Sequence, residues 1–235
     1  MKKLQWIRGA RIVRGGWTGG DPDSLLTGAV AFYRNNGTDV TGSGNHADAV
    51  LTPSTTTGLG GAANAAMLLE SGEGYSRAPL ITSGSFTFTG FLNTEVLTHN
   101  WLQQRDGATA RQFLGLSGGS TQASASGVAE VGAGGVSPTS NTFVFTAASY
   151  DGTNLRLYTF DTLNVLTPQT ANYTSLDDFL ISCGSGIGEE FKLQFVGVWN
   201  RKLTDGGATI ISPTVAAGSE IGRLLNNGDG FDPWA

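Results

Sequence analysis

Apolar and polar residues alternate with a period of two in several short runs of this chain. From Phe191 onward, Phe191, Leu193 and Phe195 interleave with Lys192, Gln194 and Val196, and Val198 continues the apolar set. This predicts a strand with one buried face. Gly197 interrupts it, and a glycine inside a strand marks a bulge or a close approach of another backbone. Residues 85–92 (SFTFTGFL) set Phe86 and Phe88 against Thr87 and Thr89 and predict another strand. Residues 25–33, 100–104, 110–116, 141–150 and 155–161 predict further strands, with turns at Arg105-Asp106-Gly107 and Asp151-Gly152-Thr153-Asn154. Residues 122–131 alternate weakly. Residues 62–70, rich in Ala, Met and Leu, suit a helix by propensity alone. Glu220 to Gly228 places Ile221, Leu224 and Leu225 on one helical face and closes with glycine, which predicts a short C-terminal helix.

Of the 235 residues, 39% are hydrophobic, 14% are charged and 35 are glycine. So low a charge argues against a disordered chain, and the length suits one β domain of roughly 200 residues. Strand-sized runs separated by tight turns, with no long internal repeat, predict two packed antiparallel sheets in a jelly-roll-like sandwich.

Two stretches resemble a known pattern. One is Trp199-Asn200-Arg201-Lys202-Leu203-Thr204, followed by Glu220-Ile221 and Leu224-Leu225-Asn226 before Gly228. The other is the hairpin Tyr150-Asp151-Gly152 with Leu155-Arg156-Leu157-Tyr158, and Thr41-Gly42-Ser43-Gly44-Asn45-His46-Ala47-Asp48 fits more loosely. Together, and in this order, they resemble laminin-G-like domains of the concanavalin A-like superfamily. The resemblance implies an all-β jelly-roll sandwich and a strand, not a helix, in residues 62–70. Two departures stand out: residues 206–219 are an insert where the family joins its turn to Glu-Ile almost directly, and Thr159-Phe160-Asp161-Thr162 alters the second hairpin turn.

Charge divides the chain. Lys2, Lys3, Arg8, Arg11 and Arg14 precede the first acid, Asp21; five of the 14 basic residues thus lie in the arm, leaving 9 basic against 19 acidic residues, about −10. Residues 1–20 are therefore expected to be an extended docking arm on a domain spanning residues 21–235. Trp6, Ile7, Arg8, Arg11, Arg14 and Trp17 are its candidate contact residues, placed by strand addition or in a neighbour's groove. The basic residues break any run of signal-peptide length, no stretch is long enough to span a membrane, and the acidic body disfavours nucleic acid. Cys183 is the single cysteine, so no disulfide within the chain supports the fold.

Candidate chemistry is thin. A retaining glycosidase needs two carboxylates about 5 Å apart; Glu189-Glu190 and Asp177-Asp178 are adjacent and would face opposite sides of a strand, while Glu73, Glu95 and Glu130 are isolated. His46 and His99 do not make a zinc set. No catalytic residue and no cofactor is assigned. Calcium stays open through Asp39, Asp48, Asp151, Asp161 and Asp229 in predicted loops. Trp101, Tyr75, Tyr150 and Tyr173 are candidate sugar platforms. The expectation is a non-enzymatic structural protein. The resemblance, the arm and the missing export signal imply a tailed-phage virion component, made in the host cytoplasm. It would decorate a capsid or serve a tail, bind other virion proteins through its arm and form a homo-oligomer. The alternative is a carbohydrate-binding module for host glycans.

Overall fold

Alternation resolves into pairing. The computed structural model describes residues 26, 28–58, 61, 63–94, 98–135, 143–159, 162–165, 168–182, 190–209 and 212–226, and for 130–135, 165 and 226 the backbone alone. The strands in chain order are β1 (Ala29–Tyr33), β2 (Asp48–Val50), β3 (Ser54–Thr56), β4 (Ala66–Leu69), β5 (Gly74–Arg77), β6 (Phe86–Thr94), β7 (His99–Asp106) and β8 (Thr109–Ser117). They continue as β9 (Ser120–Ser124), β10 (Glu130–Gly135), β11 (Val144–Tyr150), β12 (Leu155–Thr159), β13 (Thr162–Val165), β14 (Asp178–Ser182) and β15 (Phe191–Trp199); helix α1 spans Glu220–Asn226. The ambiguous stretch at 62–70 thus yields strand β4. Its Met67 and Leu69 pair with β15 and point into the core, so tertiary context overrides helix propensity.

Among the described residues, one sheet runs β13-β12-β11-β6-β15-β4-β3 with β1 also on β15, and the other runs β10-β9-β8-β7-β14-β5-β2. All pairings are antiparallel. The fold is a two-sheet β-sandwich with a short C-terminal helix. Between the sheets Phe86, Phe88, Trp101, Phe179 and Phe191 form the main core.

The expectation of one buried face on β15 needs correction. Gln194, Phe195 and Val196 are all buried, as is every residue of β6. The cause is a second apolar cluster on the outer side of the eight-stranded sheet. There Phe32, Phe145, Phe195 and Trp199 meet Leu203, Ile221 and Leu224 of the C-terminal segment. The irregularity in β15 also lies elsewhere than Gly197: the register against β6 shifts between Leu193 and Val196. Gly197 serves the other alternative, close approach, because the ring of Trp199 lies where its Cβ would stand, at 2.4 Å. A side-chain ring, not a backbone, occupies the space.

The insert at 206–219 belongs to this covering segment. Asp205 is buried and accepts from Arg156 Nη1 at 2.7 Å, Tyr158 OH at 2.8 Å and Gly207 N at 3.1 Å. Burial alone would raise its carboxyl, but the Tyr158 hydroxyl, the Gly207 N–H and the Arg156 guanidinium outweigh that and hold it below the usual range. At the far side Leu163 N donates to Pro213 O at 2.8 Å and Thr162 bridges Thr214. The helix then begins at a Ser219 cap, whose hydroxyl accepts from Gly222 N at 3.1 Å. Arg201 pairs with Glu220, Nη1 to Oε2 at 3.0 Å.

Candidate functional site

The outer face of the seven-stranded sheet has a different chemistry. On β14, Phe179 and Ile181 point into the main core, so Leu180 points out, and its register partners Gln103 on β7, Phe113 on β8 and Ser124 on β9 follow it. Ser76 on β5 extends this row on the other side. A second row joins Asn100, Gly115 and Gln122. The face has a recessed floor, with Gln103 at 9%, Phe113 at 3% and Gln122 at 8% exposure, and a half-exposed margin of Ser76, Asn100, Leu180, Arg105 and Asp178. None of these residues belongs to either apolar cluster.

Glycine sets the second row. A Cβ on Gly115 would stand 2.5 Å from Asn100 Oδ1 and 2.6 Å from His99 O. Without it, Gln122 Nε2 reaches across to Asn100 Oδ1 at 2.8 Å and also donates to Leu116 O at 3.0 Å. These two amides are thereby oriented. The Gln103 amide has no hydrogen-bond partner among the described residues, and its atoms are not sealed from solvent. Its neighbour Gln104 points inward and is fully engaged: Oε1 accepts from Leu80 N and Ile81 N, while Nε2 donates to Ile81 O and Gln112 Oε1. At one end of the face the charges are neutralised in pairs. Arg105 grips both oxygens of Asp178, with Nε–Oδ1 at 2.9 Å, and Arg111 Nη2 meets Asp106 Oδ2 at 2.6 Å. Arg105's hydrogen bond to Asp178 raises its pKa further above an already high value, so it stays cationic.

The residues singled out in the sequence go elsewhere. Trp101, Tyr75 and Tyr150 lie in the main core, and Tyr173 packs half-buried at its margin with its hydroxyl donating to Gly84 O. None is a platform on this face. His99 sits at the start of β7 with its ring edge on Phe191 and Nε2 2.9 Å from Ser182 O. Burial pushes its imidazole below the ordinary range against the opposing pull of that carbonyl, so it is neutral at pH 7. His46 Nδ1 accepts from Asp39 N at 3.0 Å.

The acids are similarly engaged. Asp39 accepts from Phe32 N and Thr41 N at 3.0 Å, from Asn45 N at 3.1 Å and from the Thr41 hydroxyl. That makes it the organiser of its loop, with both oxygens occupied by protein donors. Asp151 caps its turn through Thr153 N at 3.0 Å and Asn154 N at 2.7 Å. Asp48 is exposed on β2. Among the described residues no group of three or more His, Cys, Asp or Glu side chains gathers for a metal, so these aspartates do not form a calcium donor set with one another. Glu73 accepts from Thr52 Oγ1 and Glu70 N, Asp177 from Gly107 N, and Glu190 pairs with Lys192 at 3.3 Å. The arm residues Trp6, Ile7, Arg8, Arg11, Arg14 and Trp17 lie outside the described residues, as do Cys183, Glu95, Glu189, Asp161 and Asp229. The side chain of Glu130 is likewise outside the description.

Sequence reasoning missed Gln103 and Phe113. The alternation of Leu114 and Leu116 carries a signal for Phe113, since two inward leucines put Phe113 and Gly115 on the other face. Gln103 carries none, because a register shift between Asn100 and Leu102 resets the phase of β7.

No protein-family model matches this chain, and no curated protein does. Solved structures share its fold at low identity. The botulinum neurotoxin serotype D ligand-binding domain, in complex with N-acetylneuraminic acid, is similar over 88% of this chain and 53% of its own, with 8% identity and a TM-score of 0.61. The binding domain of Paraclostridial Mosquitocidal Protein 1 is similar over 86% of this chain and 53% of its own, with 10% identity and a TM-score of 0.58. Domain 4 of AbnA, a GH43 extracellular arabinanase from Geobacillus stearothermophilus, in complex with arabinotriose, is similar over 84% of this chain and 98% of its own, with 11% identity and a TM-score of 0.58. The chain thus spans about half the length of the toxin domains and nearly all of the arabinanase domain. At these identities the likeness defines the class of fold, an all-β jelly-roll-like sandwich.

Proposed function

We propose that this chain is a non-enzymatic carbohydrate-binding module whose ligand lies on the outer face of the seven-stranded sheet. The observation that carries the reading is that face itself: oriented Asn100 and Gln122 amides, a Gln103 amide with no partner among the described residues and the half-exposed Leu180 share one face outside both cores. Amides supply donors and acceptors together, which sugar hydroxyls require, and the half-exposed Leu180 suits the C–H face of a sugar ring. The arabinanase domain supports the reading more directly than the toxins, because almost its whole length is similar and it holds arabinotriose. Only half of each toxin domain is similar, so the sugar in the serotype D complex need not lie in that half. The test is a glycan array probed with the full chain and with Gln103→Ala. Binding by the native chain that the variant loses supports the reading; an identical glycan profile for both places the site elsewhere.

The composition of residues 1–20 favours a compatible second reading. A basic, aromatic arm on an acidic body suits docking onto a larger assembly, as a virion component would, with other virion proteins and a second copy of the chain as partners. Light scattering of the full chain against the chain lacking residues 1–20 tests it: an oligomer that becomes a monomer supports an assembly arm, and identical masses oppose self-assembly through it.

A further inference from the structure

We infer that the ligand of this face is an uncharged oligosaccharide and not a sialylated or otherwise acidic glycan; the inference rests on the glycan-binding reading above. Three observations carry it. First, the cations of the face are already committed. Arg105 is held by both oxygens of Asp178, and Arg111 is neutralised by Asp106 through Nη2, its Nε being sealed from solvent. The third arginine of this sheet, Arg77, stands two residues from the inward Tyr75 and so belongs to the inner side, where Nε donates to Ala78 O. Strands β2, β9, β10 and β14 contain no Lys or Arg. A carboxylate on the ligand would find both guanidiniums already neutralised and would have to compete with Asp178 or Asp106 for them.

Second, the charges not tied up nearby are negative. Asp48 is exposed at the edge strand in the same row as Ser76, and the chain beyond residue 20 carries 9 basic against 19 acidic residues. This field repels an anionic glycan before contact.

Third, the free group is neutral and bifunctional. The Gln103 amide offers one acceptor oxygen and two donor hydrogens, and it lies between Leu180 and Phe113 in the same row. The row from Ser76 to Ser124 crosses five strands, about 19 Å at the usual strand spacing. That is long enough for a short chain of sugar units and generous for one monosaccharide.

The test is calorimetric titration of the full chain with neutral oligosaccharides (arabinotriose, lactose and the neutral members that score on an array) against 3′-sialyllactose and N-acetylneuraminic acid. Each is measured at low salt and again at about 0.5 M salt, where charge interactions are screened within a few ångströms. Binding confined to neutral sugars, changed less than twofold by salt and weakened tenfold or more by Gln103→Ala, supports the inference. Leu180→Ala serves as a second variant, and both variants are checked for a native circular dichroism spectrum. Binding confined to the acidic sugars, or falling more than tenfold in salt, overturns the inference and leaves the glycan-binding reading standing. Silence toward both sets overturns the parent reading, and the inference falls with it.

Discussion

The two outer faces of the sandwich are built from opposite chemistry. The eight-stranded sheet turns Phe145, Phe195 and Trp199 outward and covers them with Leu203, Ile221 and Leu224. The seven-stranded sheet turns Asn100, Gln103 and Gln122 outward and draws them into neither core. On the first face polar groups are locked to one another: Asp205 is held by Arg156, Tyr158 and Gly207, and Glu220 by Arg201 and the Thr204 N–H. On the second, the Gln103 amide has no partner among the described residues. The difference separates labour between the faces. A covered aromatic face stabilises the fold, and a polar face with an uncommitted group is where recognition can occur without cost to stability.

The largest effect expected from this contrast is at Trp199. Trp199→Ala empties the centre of the outer cluster and should cost about 3–5 kcal/mol, read as a lower denaturant midpoint. A loss under about 1 kcal/mol would show that the covering segment contributes little. Next is Asp205→Ala, which leaves Arg156 and the buried Tyr158 hydroxyl without their shared acceptor. About 2–3 kcal/mol should be lost, toward the low end for a buried pair because Arg156 is partly solvated.

Acid should separate the faces in time and degree. The carboxyls of Asp205 and Glu220 lie below their unfolded values because the hydrogen bonds and cations around them outweigh desolvation. A depressed folded pKa contributes stability that is present above the unfolded value, about 4, and lost as pH falls through the folded one. Hydrogen exchange below about pH 4 should therefore release residues 203–209 and 212–225 before β7 and β8; simultaneous release would break the comparison. The smallest effect is at Gln103. Gln103→Ala should change stability by less than about 1 kcal/mol while weakening the proposed glycan binding tenfold or more, since no described residue pairs with that amide.

Much of the architecture was legible in the sequence. The alternation at Phe86 and Phe88 and the hairpin across Arg105-Asp106-Gly107 appear as β6 and as the β7–β8 pair, and Ile221 and Leu224 fall on the buried face of α1. What alternation could not show was the second cluster. Period two tells which residues share a face, not whether anything covers that face, so Phe195 and Trp199 have no partner visible in the pattern, although Leu203, Ile221 and Leu224 cover them in the fold. The site was harder for a related reason. Trp101, Tyr75 and Tyr150 look like sugar platforms by residue type, yet an aromatic residue in a strand gains most by burial, and that is where the sheet places them. Gln103 is an ordinary polar residue until a register shift in β7 decides which way it points.

The stitch between the C-terminal segment and β13 has a further consequence. An open sheet edge is a template on which another chain can add a strand, and β13 ends the eight-stranded sheet. Pro213 O accepts the Leu163 N–H, and Thr214 bridges Thr162. The covering segment therefore acts as a selvedge, a finished border that keeps the fabric of the sheet from being extended there. Of the three other ends, β3 and β2 are only three residues long, while β10 has six. The borders at β3 and β2 give a foreign strand little to grip, so three of the four ends are guarded against edge-to-edge pairing.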